Sequence, residues 1–275
     1  MPFFKKITIL TLLSSTIALS ALSAATLNLT YQNLGDFKLK DRLTKDRGAL
    51  VESMSVTPIT LINGISEKNS LDYLSLPSNI YYTRNMLFDK SRYGALLERD
   101  DVNEAIEVSR ADYADFTSDF TQSRISGFIV NKKYMIFIVN FSTKRHPKGD
   151  LELETIVRNL KKVIDWSRKY FYIDSKNIIF AGSFGLDYIH LQNKLPGFKP
   201  LIKNGTKMVK TKRGWKLSQV ENILVSNQSN ISAEVNFFIK KTLQKGKFSK
   251  DTDLLARTVS RYYPISIKIK DFKAE

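Results

Sequence analysis

The sequence predicts one α+β domain built as a β-sandwich flanked by helices. Three observations predict it: short apolar runs of strand length recur along the chain, few stretches have helical periodicity, and neither an internal repeat nor a Pro/Gly/Ser-rich linker divides it. The 275 residues are 43% hydrophobic and 11% aromatic, enough for a large core. Length alone fits one large β-rich domain as well as two small ones, so the undivided pattern decides for one.

The chain opens on a processing segment. Lys5 and Lys6 precede an apolar run from Ile7 to about Leu19, followed by the small residues Ala21, Ser23, Ala24 and Ala25. That is the pattern of a Sec signal peptide cleaved after Ser23 or Ala25, and the run is short for a membrane span of ~20 residues. The expectation is a leader over residues 1–25 and a single domain over 26–275. Its destination would be periplasmic or secreted, with no stable transmembrane segment after cleavage.

Strand-like runs follow at Leu27–Tyr31, Ile59–Ile62, Tyr93–Leu97, Ala105–Ser109, Ile125–Val130, Met135–Phe141, Asn177–Phe184, Asn222–Ser226 and Ile265–Ile269. Ile265-Ser266-Ile267-Lys268-Ile269 alternates, as a strand with one wet face does. Tyr134-Met135-Ile136-Phe137-Ile138-Val139 has no polar face and predicts a central strand. Between Asp150 and Tyr170, Leu153, Ile156, Val157, Leu160, Val163 and Ile164 recur at helical spacing. Strand, helix and strand over 135–184 therefore predict a crossover unit, and the amphipathic stretch Lys38–Met54 predicts a second one. Ser66–Ser78 and Asn193–Trp215 read as long loops.

The protein has no cysteine, which excludes disulfides, thiolate metal sites, a cysteine nucleophile and a lipid anchor on Cys. Its formal charge is +16. Between Lys194 and Lys216 stand eight cations and no acid: Lys194, Lys199, Lys203, Lys207, Lys210, Lys212, Arg213 and Lys216. Such a field favours nucleic acid or another polyanion, with Lys207, Lys210, Lys212 and Arg213 as contacts and Trp215 as a stacking side chain. A basic composition incidental to function accounts for the charge equally well. Zinc spacing, a phosphate-binding glycine loop and a full nucleophile elbow are all missing from the sequence.

Four segments in order carry a resemblance to a known family. They are Tyr93-Gly94-Ala95-Leu96-Leu97-Glu98-Arg99, the stretch Arg124 to Lys144, the helix with Asn177–Gly185, and Ser260-Arg261-Tyr262-Tyr263-Pro264-Ile265-Ser266-Ile267. Together they resemble the deoxyribonuclease I-like family of the endonuclease/exonuclease/phosphatase superfamily across essentially the whole chain after the leader. The resemblance implies a four-layer α/β/β/α sandwich of two mainly antiparallel sheets, with the site at one end.

The same resemblance implies that the family's chemistry is missing here. The family's Gly-Asp-Phe-Asn turn reads Gly182-Ser183-Phe184-Gly185, and its terminal Ser-Asp-His-x-Pro reads Ser260-Arg261-Tyr262-Tyr263-Pro264. Gly64 stands for the metal-binding glutamate and Ser142 or Phe141 for a histidine; Gln32 or Asn33 fills the place of an asparagine after the first strand. Arg124 and Glu221 are near matches that could keep a binding role. A hard divalent cation is held through carboxylates, a water nucleophile needs a base, and a tyrosine hydroxyl is a poor base at neutral pH.

Three functions compete on these residues. The favoured one is an exported pseudo-nuclease, a protein that binds nucleic acid or another polyanion without cutting it and needs no cofactor. The second is an active nuclease or phosphodiesterase with displaced catalytic residues and bound Mg²⁺ or Ca²⁺. The third is an envelope or host-facing module that binds an unidentified protein partner.

Overall fold

The computed structural model describes residues 25–37, 46–54, 57–67, 69–76, 79–84, 93–98, 105–107, 123–141, 149–184, 186–236, 260 and 262–272. Two six-stranded sheets lie face to face. The first contains β1 (Ala25–Phe37), β2 (Ile59–Ile65), β3 (Asn79–Arg84), β4 (Tyr93–Glu98), β13 (Ile231–Val235) and β14 (Ile265–Phe272), in the order β13-β14-β1-β2-β4-β3. The second contains β5 (Ala105–Glu107), β6 (Ser123–Val130), β7 (Tyr134–Phe141), β8 (Ile178–Ser183), β9 (Phe198–Pro200) and β12 (Glu221–Ser226), in the order β5-β6-β7-β8-β12-β9.

Each sheet has one parallel pair, and each parallel pair encloses a helix. Helix α1 (Arg47–Met54) joins β1 to β2, and α2 (Gly149–Phe171) joins β7 to β8. Both crossovers expected from the sequence are therefore present, because parallel neighbours need a connection that spans the sheet. All other pairings are antiparallel. The result is the four-layer sandwich.

The central strand β7 shows why its sequence has no polar face. Ile136 and Ile138 pack into the core between the sheets, while Met135, Phe137 and Val139 pack under α2 against Leu160, Val163 and Ile164. Phe137 and Phe180 stack at 5.2 Å on that outer face, an arrangement worth about 1 kcal/mol beyond area burial. Next to β7, Gly182 has φ +150, and a Cβ there would lie 1.9 Å from the Val139 carbonyl oxygen. Parallel pairing of β7 with β8 in this register requires glycine at that position.

Some expectations need correction. Asn193–Trp215 is not a loop: it holds the end of helix α3 (Tyr188–Lys194), all of β9, and β10 (Lys207–Thr211), which forms a separate two-stranded sheet with β11 (Gly214–Ser218). The two-residue turn Lys212-Arg213 lacks the Asn-Gly signature of tight hairpins. It closes instead because the Thr211 hydroxyl donates to the Gly214 carbonyl at 2.8 Å and Gly214 takes φ +107. Ser66–Ser78 contains a 3-10 turn at Asp72–Leu74. Strands β3 and β13 were not expected, and the part of Lys38–Met54 before Asp46 lies outside the described residues. Among the described residues no helix is long and apolar enough to cross a membrane.

Candidate functional site

The carboxyl ends of β1, β2, β7 and β8 meet the start of β12 and the entry to β14 at one end of the sandwich. Glu221 opens β12 opposite Ser183, the last residue of β8, and is only 2% exposed. Its Oε2 accepts a short hydrogen bond from the Tyr31 hydroxyl of β1. Its Oε1 accepts from Asn33 Nδ2 at 2.9 Å. Asn63 Nδ2, from β2, donates to the Tyr31 hydroxyl at 3.1 Å and to the Val139 carbonyl at 3.3 Å. One buried carboxyl thus joins strands of both sheets through neutral partners.

The rest of the cluster is equally committed. Asn33 Oδ1 accepts from the Gly35 amide at 2.8 Å, and Asn63 Oδ1 from the Gly64 amide at 2.7 Å. The Glu221 amide donates to Thr206 Oγ1 at 3.0 Å. Burial pushes the Glu221 carboxyl up from 4.5 to about 7, against the downward pull of the Tyr31 and Asn33 hydrogen bonds and of the Lys207 charge. Burial, followed by the charge of Glu221, drives the Tyr31 hydroxyl well above its ordinary value.

The rim is built by the segment entering β14 and by the root of the β10–β11 hairpin. Lys207 and Tyr262 form an isolated antiparallel bridge, and Lys207 Nζ stands 4.7 Å from the centre of the Tyr262 ring. The Tyr262 amide donates to Ser260 Oγ at 3.0 Å, and that hydroxyl donates to the Asn33 carbonyl at 2.8 Å. Gln32 Nε2 donates to the carbonyls of Asn33 and Tyr262 at 3.0 and 3.2 Å. Its Oε1 is buried with no hydrogen-bond partner. The ring of Tyr262 lies over Gly35, 3.3 Å from where a Cβ would stand.

Of the residues marked from the sequence, Glu221 lies at the centre, while Ser183 and Tyr262 are half-buried around it. Gly64 follows Asn63 on β2 with φ 75. In the β1–β2 register Asn33 lies beside Asn63. Arg124 lies on β6 opposite Asn140 of β7; its side chain is outside the described part. Ser142, Gly185 and Arg261 lie outside the described residues. The hairpin gathers the basic residues. Lys210 faces Trp215 across the strands with Nζ 5.9 Å from the ring, and Lys212 and Arg213 form the exposed tip. Asp187 caps α3 by accepting from the His190 amide at 2.9 Å, and its Oδ1 also lies 2.8 Å from His190 Nδ1 on the exposed surface.

Tyr31 and Asn63 were not singled out from the sequence. The signal for Asn63 was an amide inside the apolar run Ile59–Ile65, since a polar group buried in a strand must find a partner. Tyr31 read as a strand residue.

These residues do not fit a hard divalent cation. Such an ion needs several oxygen ligands, usually including carboxylates. Glu221 is buried with both oxygens accepting from neutral donors, Asn63 has its amide engaged at both ends, and Gly64 has no side chain. Among the described residues no three His, Asp or Glu side chains converge.

No family model matches the sequence, and no curated protein does either. Solved structures do match. The AP endonuclease LMAP from Leishmania major superposes with a TM-score of 0.58 at 10% identity, over 98% of this chain and 92% of that one. The endonuclease domain of TRAS1, a telomere-specific non-LTR retrotransposon, gives 0.51 at 15% identity over 88% and 98%. TDP2 from D. rerio complexed with a single-strand DNA product gives 0.53 at 13% identity over 89% and 98%. At these identities the likeness speaks for the architecture alone: this chain has the deoxyribonuclease I-like fold.

Proposed function

We propose that this protein is an exported, catalytically silent member of its fold class that binds nucleic acid through the basic β10–β11 arm. The observation that carries the reading is the state of Glu221. The single carboxyl of the described site is sealed from solvent, and both its oxygens are taken by Tyr31 and Asn33. A group so placed neither holds a metal nor activates water. The hairpin beside it presents Lys210, Lys212, Arg213 and Lys216 as exposed cations with Trp215 half-buried among them. Phosphate neutralisation and base stacking need that combination of charge and aromatic surface. The fold-mate complexed with a single-strand DNA product supports nucleic acid as the polyanion.

The test has two arms. Incubated with supercoiled plasmid and Mg²⁺, Mn²⁺ or Ca²⁺, the purified protein should leave the plasmid unnicked. Labelled oligonucleotides should bind at low salt, with log affinity falling linearly in log salt. Replacing Lys212 and Arg213 by alanine should lower that slope by about 0.7 per residue for a single strand and 0.9 for a duplex. Absence of binding at low salt would overturn the binding reading. Nicking that disappears in Glu221→Ala would overturn the silent one, whereas nicking that persists there comes from a contaminant.

A further inference from the structure

Lys207 differs from the other cations of the arm. Lys210, Lys212 and Arg213 lie toward the tip, whereas Lys207 opens β10 at the root and is bonded by its backbone bridge to Tyr262 at the rim of the site. Its side chain is half-buried, with the ammonium over the Tyr262 ring. Contact with a ring face consumes none of the three N–H donors. Its charge acts on Glu221, yet the oxygens of that carboxyl are already held by Tyr31 and Asn33. The ammonium therefore lies over the Tyr262 ring at the rim, its charge felt at Glu221, and among the described residues its donors are available to a ligand.

The position is fixed from several sides. Thr206, just before it, is fully buried; its hydroxyl accepts from the Glu221 amide and its carbonyl from the Tyr263 amide at 2.8 Å. A lysine rooted so firmly against Tyr262, with its charge felt at Glu221, is a placed charge, unlike the exposed lysines of the tip. Where a hard cation would meet a phosphate, the described residues supply no ligands for one. Lys207 supplies a positive charge instead.

We propose that Lys207 binds a phosphate group of the ligand directly at the sandwich end, in the electrostatic place of a divalent metal. The proposal rests on the silent, polyanion-binding reading and adds a metal-free phosphate subsite distinct from the tip of the arm. An ammonium meets phosphate as a point charge with charge-assisted hydrogen bonds, and it needs no cation to mediate.

The experiment is an NMR titration of the protein with inorganic phosphate in EDTA, read at the amides of Ser183, Lys207 and Tyr262. Saturable shifts at these three residues are expected, unchanged when Mg²⁺ replaces EDTA. Lys207→Met keeps an apolar stem over the Tyr262 ring without the charge and should weaken phosphate at least about tenfold. Lys207→Arg should retain binding, and Lys132→Ala, in the turn between β6 and β7, should leave it unchanged. Phosphate shifts that require Mg²⁺, or that survive Lys207→Met, would overturn the proposal. If oligonucleotides bind and phosphate leaves all three amides unshifted, the subsite is wrong and the arm stands. If oligonucleotides fail to bind at low salt as well, the underlying reading fails with it.

Discussion

Glu221→Gln should remove a loss of stability of about 3 kcal/mol that the native protein undergoes as pH rises from 4.5 to 8. The carboxyl ordinarily titrates at 4.5 and is held at about 7 in the folded protein. The gap of roughly 2.5 units, at about 1.36 kcal/mol each, gives that magnitude. The sign follows from proton counting. Between the two values the folded state keeps a proton that the unfolded chain has released, so unfolding liberates protons and stability falls with rising pH. The contribution is complete below about 4.5 and gone above about 7. Urea unfolding at pH 5, 6, 7 and 8 for both proteins measures it. The two curves should lie close together at pH 5 and separate as pH rises to about 7, the native protein falling below the variant; curves that stay parallel would mean that Glu221 is not buried as described.

Gly182→Ala is the other large effect, a loss of about 3 kcal/mol or more. The added methyl would sit 1.9 Å from the Val139 oxygen, 2.9 Å from its carbonyl carbon and 3.1 Å from its Cγ2. No side-chain rotation relieves a clash with the backbone of a central strand, and φ +150 strains any L residue. Overpacking of cores typically costs 1–3 kcal/mol, and here two buried strands must part. Chemical denaturation measures it, and a variant as stable as the native protein would rule out the Val139–Gly182 register. The position bears on the motif. Gly182 matches the glycine that the resemblance implies at this turn, while its neighbour Ser183 departs from the acid implied there. Packing demands the first; only chemistry would demand an acid at the second.

That division explains what the sequence revealed. β7, β8 and α2 were legible because a strand buried on both faces and a helix buried on one leave unmistakable apolar periods. The hairpin was not, since Lys207-Met208-Val209-Lys210-Thr211 alternates among lysines and its charge dominated the reading. β13, Ile-Ser-Ala-Glu-Val, is short and half polar. In the site, Glu221 was visible as a charged residue at a strand entry, but its burial was not. The partner that accounts for it, Tyr31, lies 190 residues away. Contacts of that separation leave no local period, and Asn63 was hidden for the same reason.

The order of strands in the first sheet has a consequence for how the molecule forms. Among the described residues β1 is the first strand and β14 the last, and they are neighbours. A chain still being made can pair β1 with β2 on one side only, and the open edge of β1 is a template for unwanted strand addition until β14 is made. Long loop closures of this kind make folding slow, because entropy is lost before the contacts that compensate for it are made. The second sheet is drawn from the middle of the chain and can assemble earlier. Acquisition of the native state therefore waits on Ile265–Phe272, and a chain truncated before that strand would be a candidate for aggregation rather than a smaller working protein.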